Sequence, residues 1–377
     1  MTTLQRIQLE RGSAVAAFIV AADQEPVIKD LARSFSADPA ETLSAIELHA
    51  AFIQHCVDNE SSKAALSVFD AFCQIYNTAL CDIHVVIQAQ GLDDAAAQRV
   101  LRGYFSAWSI VNSNRNDTLY AWPVAPLPAL FTTKPHGLLA VFGGQLGAGN
   151  YLDEAAWLLK VYRPLLLDFV SRMSAFLHRE SQDRRVARLY SKGFDVLRWL
   201  TVADAAPSEA YLLSSPICMP LFSLIQMMHV MVLYKTLGVS PGELVKRFKV
   251  AIGHSLGIGL AAAFSTLTDE HSLFEAGEKV LGIQLLVGAL PQLQHPIHRL
   301  AISAFSDVSQ DVGSEPRPMV SVQGVTKPVL EQLIAKFNSR QPSPAEHAFL
   351  AVTNTYDRFL VACQTSSAVD LSEFLRS

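Results

Sequence analysis

The sequence predicts an α/β protein with three regions: a mostly helical region over residues 1–128, an α/β core over 129–313 and a small C-terminal unit over 314–377. Two apolar runs in the middle of the chain end at glycines, a pattern typical of parallel strands that lead into tight turns. Helical patterns lie between these runs, and strands that alternate with helices indicate the α/β class. Half of the 377 residues are apolar, so a large buried core is expected.

Composition and charge narrow the range of partners. The net charge is -5 and no stripe of Lys and Arg is present, which argues against nucleic acid and anionic membranes as ligands. The five cysteines are scattered and never form C-x-x-C, so neither a disulfide framework nor a zinc site is predicted, and we expect no bound metal. A neutral small molecule or an acidic carrier protein remains compatible with this composition.

Neither a signal peptide nor a membrane span is predicted. Glu10 and Arg11 precede the first apolar run, and no clear small-residue cleavage site follows it. The longest apolar stretch, MPLFSLIQMMHVMVLY (219–234), is interrupted by Gln226 and His229 and is shorter than the roughly 20 residues that span a bilayer. We therefore expect a buried helix in a cytoplasmic protein.

The N-terminal region combines one predicted strand with several predicted helices. GSAVAAFIVA (12–21) has the composition of a buried strand, and DPAETL (38–43) carries the capping residues of a helix start. Apolar residues recur at helical spacing in SSKAALSVFDAFCQIYNTAL (61–80), and acidic residues open the next helix from 92. The Asn- and Pro-rich segment at 112–137 is predicted to be a linker.

The core and the C-terminal unit show different orders of elements. In the core, GLLAVFGGQ (137–145) and FKVAIGHS (248–255) are each predicted to be a strand followed by a turn, and SPGELVKRF (240–248) repeats the capping pattern before the second of them. After about residue 313 the order is strand, helix, two strands and a helix, from PMVSVQGV (318–325) to SSAVDLSEFLR (366–376). This second order predicts a ferredoxin-like subdomain.

One serine has the surroundings of a nucleophile. AIGHSLGIGLAAAFS (251–265) places Ser255 in a G-x-S-x-G pattern, with Gly253 and Gly257 at the positions where a chain turns sharply between strand and helix. Such a turn exposes the serine oxygen at a helix N-terminus, where developing negative charge is favoured. The pattern alone occurs often by chance, but the apolar strand before it and the small-residue helix after it favour a nucleophilic role.

Acyl transfer by a serine also needs two backbone N–H groups that bind the oxyanion. The residue after the nucleophile supplies one of them, here Leu256. The second has to come from another loop at the same edge of the sheet, and the turn GGQL (143–146) is the best candidate, with Gln145 as the donor.

A serine is a weak nucleophile without a base, and four histidines are poor candidates for that base. The side chain of His254 is expected to project away from its neighbour, which indicates a structural or orienting role. His271 lies in the polar run TDEH and is expected at the surface, while His295 and His298 in QHPIH are predicted to lie in a loop.

A fifth histidine gives a formal catalytic triad. His347 follows Asp307 and Asp311, so the chain order Ser, Asp, His of an α/β-hydrolase is available with Ser255. The strands around His347 belong to the predicted small subdomain, which weakens this interpretation.

Several ordered motifs resemble one family. VFGGQ (141–145), the segment at 211–244, GHSLG (253–257) and PMVSVQGVT (318–326) resemble the starter acetyltransferase domain at the front of the fungal-type fatty acid synthase β subunit. The resemblance runs from about residue 10 to the C-terminus. The starter-unit acyltransferases of non-reducing polyketide synthases are a close relative, although they often carry cysteine as the nucleophile and lack so long an N-terminal extension.

The resemblance implies an acyltransferase fold with an α/β-hydrolase-like parallel sheet, and a reaction. Ser255 would take an acetyl group from coenzyme A and pass it to the phosphopantetheine thiol of an acyl carrier protein, with Gln145 and Leu256 binding the oxyanion. No cofactor would be bound permanently, and the partners would be the carrier domain and other synthase subunits. Gly144 and His254 would lie beside the substrate.

One position indicates which acyl group is the substrate. Val280 stands where related malonyl transferases have an arginine, and an apolar residue there cannot pair with a carboxylate. The resemblance therefore implies that acetyl or another short neutral acyl group is the substrate.

Two departures from the family keep other interpretations open. Leu146 stands where the family usually has glycine, and the family's catalytic histidine lies in a segment beyond the small subdomain, whereas this sequence stops at Ser377. The chain is therefore expected to be a fragment of a longer synthase subunit with a truncated catalytic core. The alternatives are a hydrolase or transferase that uses His347 or His298, and a non-catalytic shell that binds synthase subunits or carrier proteins.

Overall fold

The computed structural model describes residues 4–11, 14–35, 43–76, 83–113, 131, 137–144, 151–294 and 319–376. The chain divides into two compact units, Met1–Ala289 and Leu290–Ser377. The described residues mix many helices with small sheets, in agreement with the predicted α/β class. The predicted region boundaries at 128 and 313 lie outside the described residues.

The first unit begins with a β-hairpin. β1 (Leu4–Arg11) pairs antiparallel with β2 (Ala14–Ala21), in register from Leu4 opposite Ala21 to Arg11 opposite Ala14. Ile7 and Phe18 lie opposite each other and are buried. Along both strands, buried residues alternate with more exposed ones. The strand predicted at 12–21 is thus confirmed, and β1 is a partner strand that the sequence analysis missed.

Five described helices follow the hairpin along the chain. They are α1 (Glu25–Ser34), α2 (Ala45–Asp58), α3 (Ser62–Ile75), α4 (Ile83–Ala89) and α5 (Asp94–Ser113). α2 begins with a capping box in which Ser44 and Glu47 satisfy each other's orphan backbone N–H groups. The helix start predicted from DPAETL lies mostly outside the described residues, and α5 continues two residues into the predicted linker.

The core region contains two parallel strands and seven described helices. The strands are β3 (Leu138–Phe142) and β4 (Phe248–Gly253). The helices are α6 (Tyr151–Ser181), α7 (Val196–Thr201), α8 (Glu209–Leu212), α9 (Ser215–Thr236), α10 (Pro241–Val245), α11 (Gly257–Ser265) and α12 (Glu270–Gln294). Both strands were predicted, and each leads into a turn as expected.

The β3–β4 sheet is covered on one face and open on the other. α11 packs on the covered face, where the Phe142 ring lies 5.4 Å from the Phe264 ring. On the opposite face Val141 pairs with Ile252 in the parallel register, and their exposed fractions are 70% and 47%. Parallel strands are normally buried on both faces, so this open apolar face is unusual.

The apolar helix α9 corrects one step of the sequence argument. It runs over 22 residues, so it is longer than the predicted stretch and is long and apolar enough to cross a membrane. However, 67% of its most apolar window is buried inside the protein, and it packs against α6. Burial, rather than insufficient length, therefore identifies α9 as a core helix.

The second unit has the predicted order of strands and helices. β5 (Met319–Gln323), β6 (Phe349–Thr353) and β7 (Arg358–Ala362) form an antiparallel sheet in the order β5-β7-β6. The helices α13 (Lys327–Asn338) and α14 (Thr365–Arg376) contribute to a small core with these strands. Its most buried members are Leu330, Phe337, Phe359, Val361 and Leu371.

Candidate active site

Ser255 occupies a strained turn between β4 and α11. β4 ends at Gly253, α11 begins at Gly257, and Ser255 has a φ of +53°, in the left-handed region. A residue with a Cβ atom pays roughly 1–2 kcal/mol for this conformation. The Ser255 side chain is exposed. A strained, exposed serine between a strand and a helix is the geometry of a nucleophile elbow.

The two flanking glycines are required by close packing. A Cβ atom at Gly253 would collide with the backbone of Gly257 and Ile258, and one at Gly257 would collide with the carbonyl oxygen of Phe142. The turn after β4 therefore lies directly against the end of β3. Only glycine permits this approach, which explains the G-x-S-x-G spacing in physical terms.

Backbone hydrogen bonds fix the elbow but leave two groups unengaged. The His254 N–H donates to the Phe142 carbonyl at 3.0 Å, and the Gly257 N–H donates to the His254 carbonyl at 2.9 Å. Within the described part of the chain, neither the Leu256 N–H nor the Ser255 hydroxyl has a hydrogen-bond partner. The Leu256 N–H is thus available as a donor at the N-terminus of α11, and its predicted role in binding an oxyanion stays a prediction.

The turn after β3 borders the serine. A Cβ atom at Gly144 would lie 2.9 Å from the Ser255 Cβ and 2.8 Å from His254 Nδ1, so both side chains face this glycine. Gly144 therefore borders Ser255, and its predicted contact with the substrate stays a prediction. Gln145 and Leu146 lie outside the described residues, and the second oxyanion donor stays a prediction.

Two polar residues of α9 that interrupted the apolar pattern have defined partners. The Gln226 Nε2 donates to the Gly143 carbonyl at 3.2 Å, which ties α9 to the turn beside the serine. His229 Nε2 lies 2.8 Å from Glu154 Oε1, near the start of α6. No role for these two residues was predicted from the sequence, although a polar residue inside an apolar helix is a signal that it has a polar partner.

α12 contacts the elbow through one buried side chain. The Gln284 Nε2 donates to the Leu256 carbonyl at 3.1 Å, and the Gln284 side chain is only 4% exposed. Val280 lies one turn earlier on the same side of α12 and is also 4% exposed. Gln284 was not recognised in the sequence, because its contact spans 28 residues and follows no local motif.

Of the remaining histidine candidates, His271 is the one that lies in the described part of the first unit. His271 is exposed and pairs with Glu275 at 3.3 Å, as expected for a surface residue. His295, His298, Asp307 and Asp311 lie outside the described residues. His347 lies in the second unit, after the short 3-10 helix Pro344–Glu346.

The fold and the site together define a class: an α/β protein with a serine in an elbow-type turn between a strand and a helix. A family model described as "Starter unit:ACP transacylase in aflatoxin biosynthesis" matches residues 140–374. This match spans β3, the elbow and most of the second unit. The chain belongs to this starter-unit acyltransferase family.

The similar proteins are fungal fatty acid synthase β subunits. The chain is 32% identical over 305 residues to "Fatty acid synthase subunit beta" of Schizosaccharomyces pombe, with 78% of the chain and 14% of that protein covered. It is 28% identical over 313 residues to "Fatty acid synthase beta subunit aflB" of Emericella nidulans, with 82% and 14% covered. The Aspergillus oryzae β subunit is 26% identical over 368 residues, with 96% and 17% covered.

These proteins are much longer than the chain. The chain spans 14 to 17% of the length of the three relatives, so it corresponds to one part of a large subunit.

Proposed function

We propose that the chain transfers a starter acetyl group, or another short neutral acyl group, from coenzyme A to the phosphopantetheine thiol of an acyl carrier protein. The proposed intermediate is an ester on Ser255. The observation that carries the proposal is the elbow itself: a serine at φ +53°, exposed at the start of α11, with an unengaged Leu256 N–H beside it in the described structure.

The proposed reaction has two balanced steps. In the first, the Ser255 oxygen attacks the thioester carbonyl, a C–O bond forms, the C–S bond breaks, and coenzyme A leaves as the thiol after taking up the serine proton. In the second, the carrier thiol attacks the carbonyl of the serine ester, a C–S bond forms, the C–O bond to Ser255 breaks, and the thiol proton returns to the Ser255 oxygen. The Leu256 N–H, with Gln145 as the proposed second donor, stabilises the oxyanion in both steps.

Proton transfer in these steps requires a base. In the described part of the chain no side chain is hydrogen-bonded to the Ser255 hydroxyl, so the elbow is assigned as nucleophile and oxyanion site, and the base is not assigned. A cysteine thiolate at position 255 would need no such base, so the variant Ser255→Cys tests the elbow independently of the base.

The proposed preference for a neutral acyl group rests on Val280 of α12. Val280 is apolar and buried, and it offers no donor to a carboxylate. A malonyl group would bring a negative charge that needs a bidentate or charged partner. We therefore propose that acetyl is accepted and that malonyl is excluded.

The proposed partners follow from the relatives. The similar proteins are named as β subunits of fatty acid synthases, so we propose that the chain acts with an acyl carrier protein and other synthase subunits, in the cytoplasm and without a permanently bound cofactor.

Acyl transfer to a holo acyl carrier protein tests the function. The chain is incubated with acetyl-CoA or malonyl-CoA and the carrier, and the carrier is then analysed by intact mass. An acetylated carrier whose formation requires Ser255 supports the proposal. Free acetate without acetylated carrier would instead identify a thioester hydrolase, and equal transfer of malonyl would remove the assigned role of Val280.

A further inference from the structure

We propose that Gln284 is a positioning residue, which holds the peptide group after Leu256 so that the Leu256 N–H is directed at the oxyanion. This inference rests on the proposed acyl transfer at Ser255. The Gln284 Nε2 donates to the Leu256 carbonyl at 3.1 Å, from a side chain that is 4% exposed. No described side chain other than Gln284 is hydrogen-bonded to the residue that follows the nucleophile.

The orientation of the Gln284 amide is fixed by its partner. A backbone carbonyl only accepts hydrogen bonds, so the NH₂ end of the amide has to face Leu256. The Oε1 end is then buried, and it has no hydrogen-bond partner in the described structure. An unsatisfied buried acceptor is unfavourable, so this orientation has a cost that the hydrogen bond to Leu256 has to offset.

Gln284 is the described hydrogen-bond partner of the Leu256 carbonyl. Leu256 is the N-cap residue of α11, and the carbonyl of an N-cap residue ordinarily accepts the first hydrogen bond within its own helix. The described backbone hydrogen bonds include none from the Leu260 N–H to this carbonyl. The peptide group after Leu256 is therefore held from α12, by Gln284.

The hydrogen bond acts on the most strained part of the backbone. Ser255 has a φ of +53°, whereas Leu256 has φ −58° and ψ −29°, so the chain changes from left-handed to helical across one peptide group. Relaxation of Ser255 would reorient the peptide group between Ser255 and Leu256, and the chain could then enter α11 only if the peptide group between Leu256 and Gly257 reoriented as well. Gln284 holds this second peptide group from α12, which is a separate element, and thereby opposes the change.

Relaxation at this point would have a chemical consequence. The N–H of Leu256 belongs to the peptide group between Ser255 and Leu256, so the same rotation that relaxes Ser255 turns the donor away from the oxyanion. Binding of coenzyme A does not involve this N–H in the ground state. Loss of the Gln284 amide should therefore lower the rate of acylation and leave donor binding unchanged.

Gln284→Met tests the inference, because methionine keeps the length and removes the amide. The time course of Ser255 acetylation is followed by intact mass at several acetyl-CoA concentrations, and thermal unfolding is measured in parallel. We expect the maximal acylation rate to fall by about tenfold to a hundredfold, with the half-saturating acetyl-CoA concentration unchanged and the Tm lowered by no more than a few degrees, as for the loss of one buried hydrogen bond. A rate within twofold of the original chain would overturn the inference while leaving the proposed function intact.

Gln284→Glu makes the acylation rate depend on pH in a way that would not be seen if Gln284 only filled space. The protonated carboxyl group can donate to the Leu256 carbonyl, and the carboxylate cannot. We expect the acylation rate of this variant, relative to the original chain at each pH, to rise as the pH falls. A flat ratio overturns the inference even if Gln284→Met fails to fold, whereas absence of acylation in the original chain would overturn the proposed function first.

Discussion

Gly144 lies against the side chain of Ser255, so closely that a Cβ atom at position 144 would stand 2.9 Å from the Cβ of the serine. The same atom would stand 2.8 Å from His254 Nδ1. The segment after β3 and the elbow after β4 are therefore packed together, and Ser255 is the elbow residue at this contact. This contact brings the turn that precedes Gln145 to the nucleophile.

Gly144→Ala should slow acylation of Ser255 by at least about tenfold, because the new methyl group displaces the serine or the turn by a few tenths of an ångström. The measurement is the rate of acetyl adduct formation by intact mass. Gly143→Ala is the matched control, since a Cβ atom there would meet nothing within 4 Å. Equal rates for the two variants would show that the contact at Gly144 has no role in the reaction.

Ser255→Cys should form an acetyl thioester whose rate of formation rises with pH. A cysteine thiol has an ordinary pKa of about 8.5, and the start of a helix favours the thiolate, so ionisation supplies the nucleophile without a separate base. The rate of adduct formation with acetyl-CoA is measured between pH 6 and pH 9. No adduct at any pH would contradict the assignment of residue 255 as the position that meets the thioester.

His49 should make the stability of the protein depend on pH. It is 3% exposed, and burial lowers the pKa of His49 to about 4, below its ordinary value of 6.5. Between pH 6.5 and pH 4 the unfolded chain therefore binds a proton that the folded chain does not, and the free energy of unfolding should decrease by about 1.4 kcal/mol per pH unit as the pH falls.

His49→Phe should reduce that slope, because phenylalanine does not titrate. Phe18 and Phe72 already lie against the ring of residue 49, so a phenylalanine fits these apolar surroundings. The free energy of unfolding is measured by urea titration at several pH values. His84 contributes in the same direction, since burial also lowers its pKa, so some slope should remain in the variant. Identical slopes in both proteins would exclude His49 as a source of the pH dependence.

The open face of the β3–β4 sheet should tolerate polar substitution. Val141 and Ile252 are 70% and 47% exposed, so their replacement together by threonine, which keeps the β-branched shape, should change the free energy of unfolding by less than about 1 kcal/mol. Binding of a hydrophobic dye should decrease, because the apolar patch is smaller. Destabilisation by more than about 2 kcal/mol would show that these side chains are buried in solution.

Local signals in the sequence were sufficient for the elbow and for the second unit. Glycines at 253 and 257 next to an apolar run predict the turn at Ser255, since only glycine permits the close approach that the structure shows. Over residues 319–376 of the second unit, the three strands and the two α-helices follow from short apolar runs and helix-start residues. Each of these features is encoded within about ten residues.

Features that depend on distant partners were not predictable. Gln284 is 28 residues from the elbow, and nothing in its neighbourhood distinguishes it from other polar residues of a helix. β1 was missed for a different reason: Ile7 and Leu9 alternate with charged and polar residues, and this period-2 signal is short and lies at the chain terminus. The open sheet face could not be foreseen, because an apolar run carries no information about what covers it.

The most direct test of the central claim is to locate the acyl group. The chain is incubated with acetyl-CoA and analysed by intact mass and by peptide mass, alongside Ser255→Ala and the matched control Ser265→Ala, which removes another exposed serine from α11. The account predicts one acetyl group on the peptide that contains Ser255, retained in Ser265→Ala and absent from Ser255→Ala. An acetyl group that persists in Ser255→Ala, or none in the original chain, would contradict it.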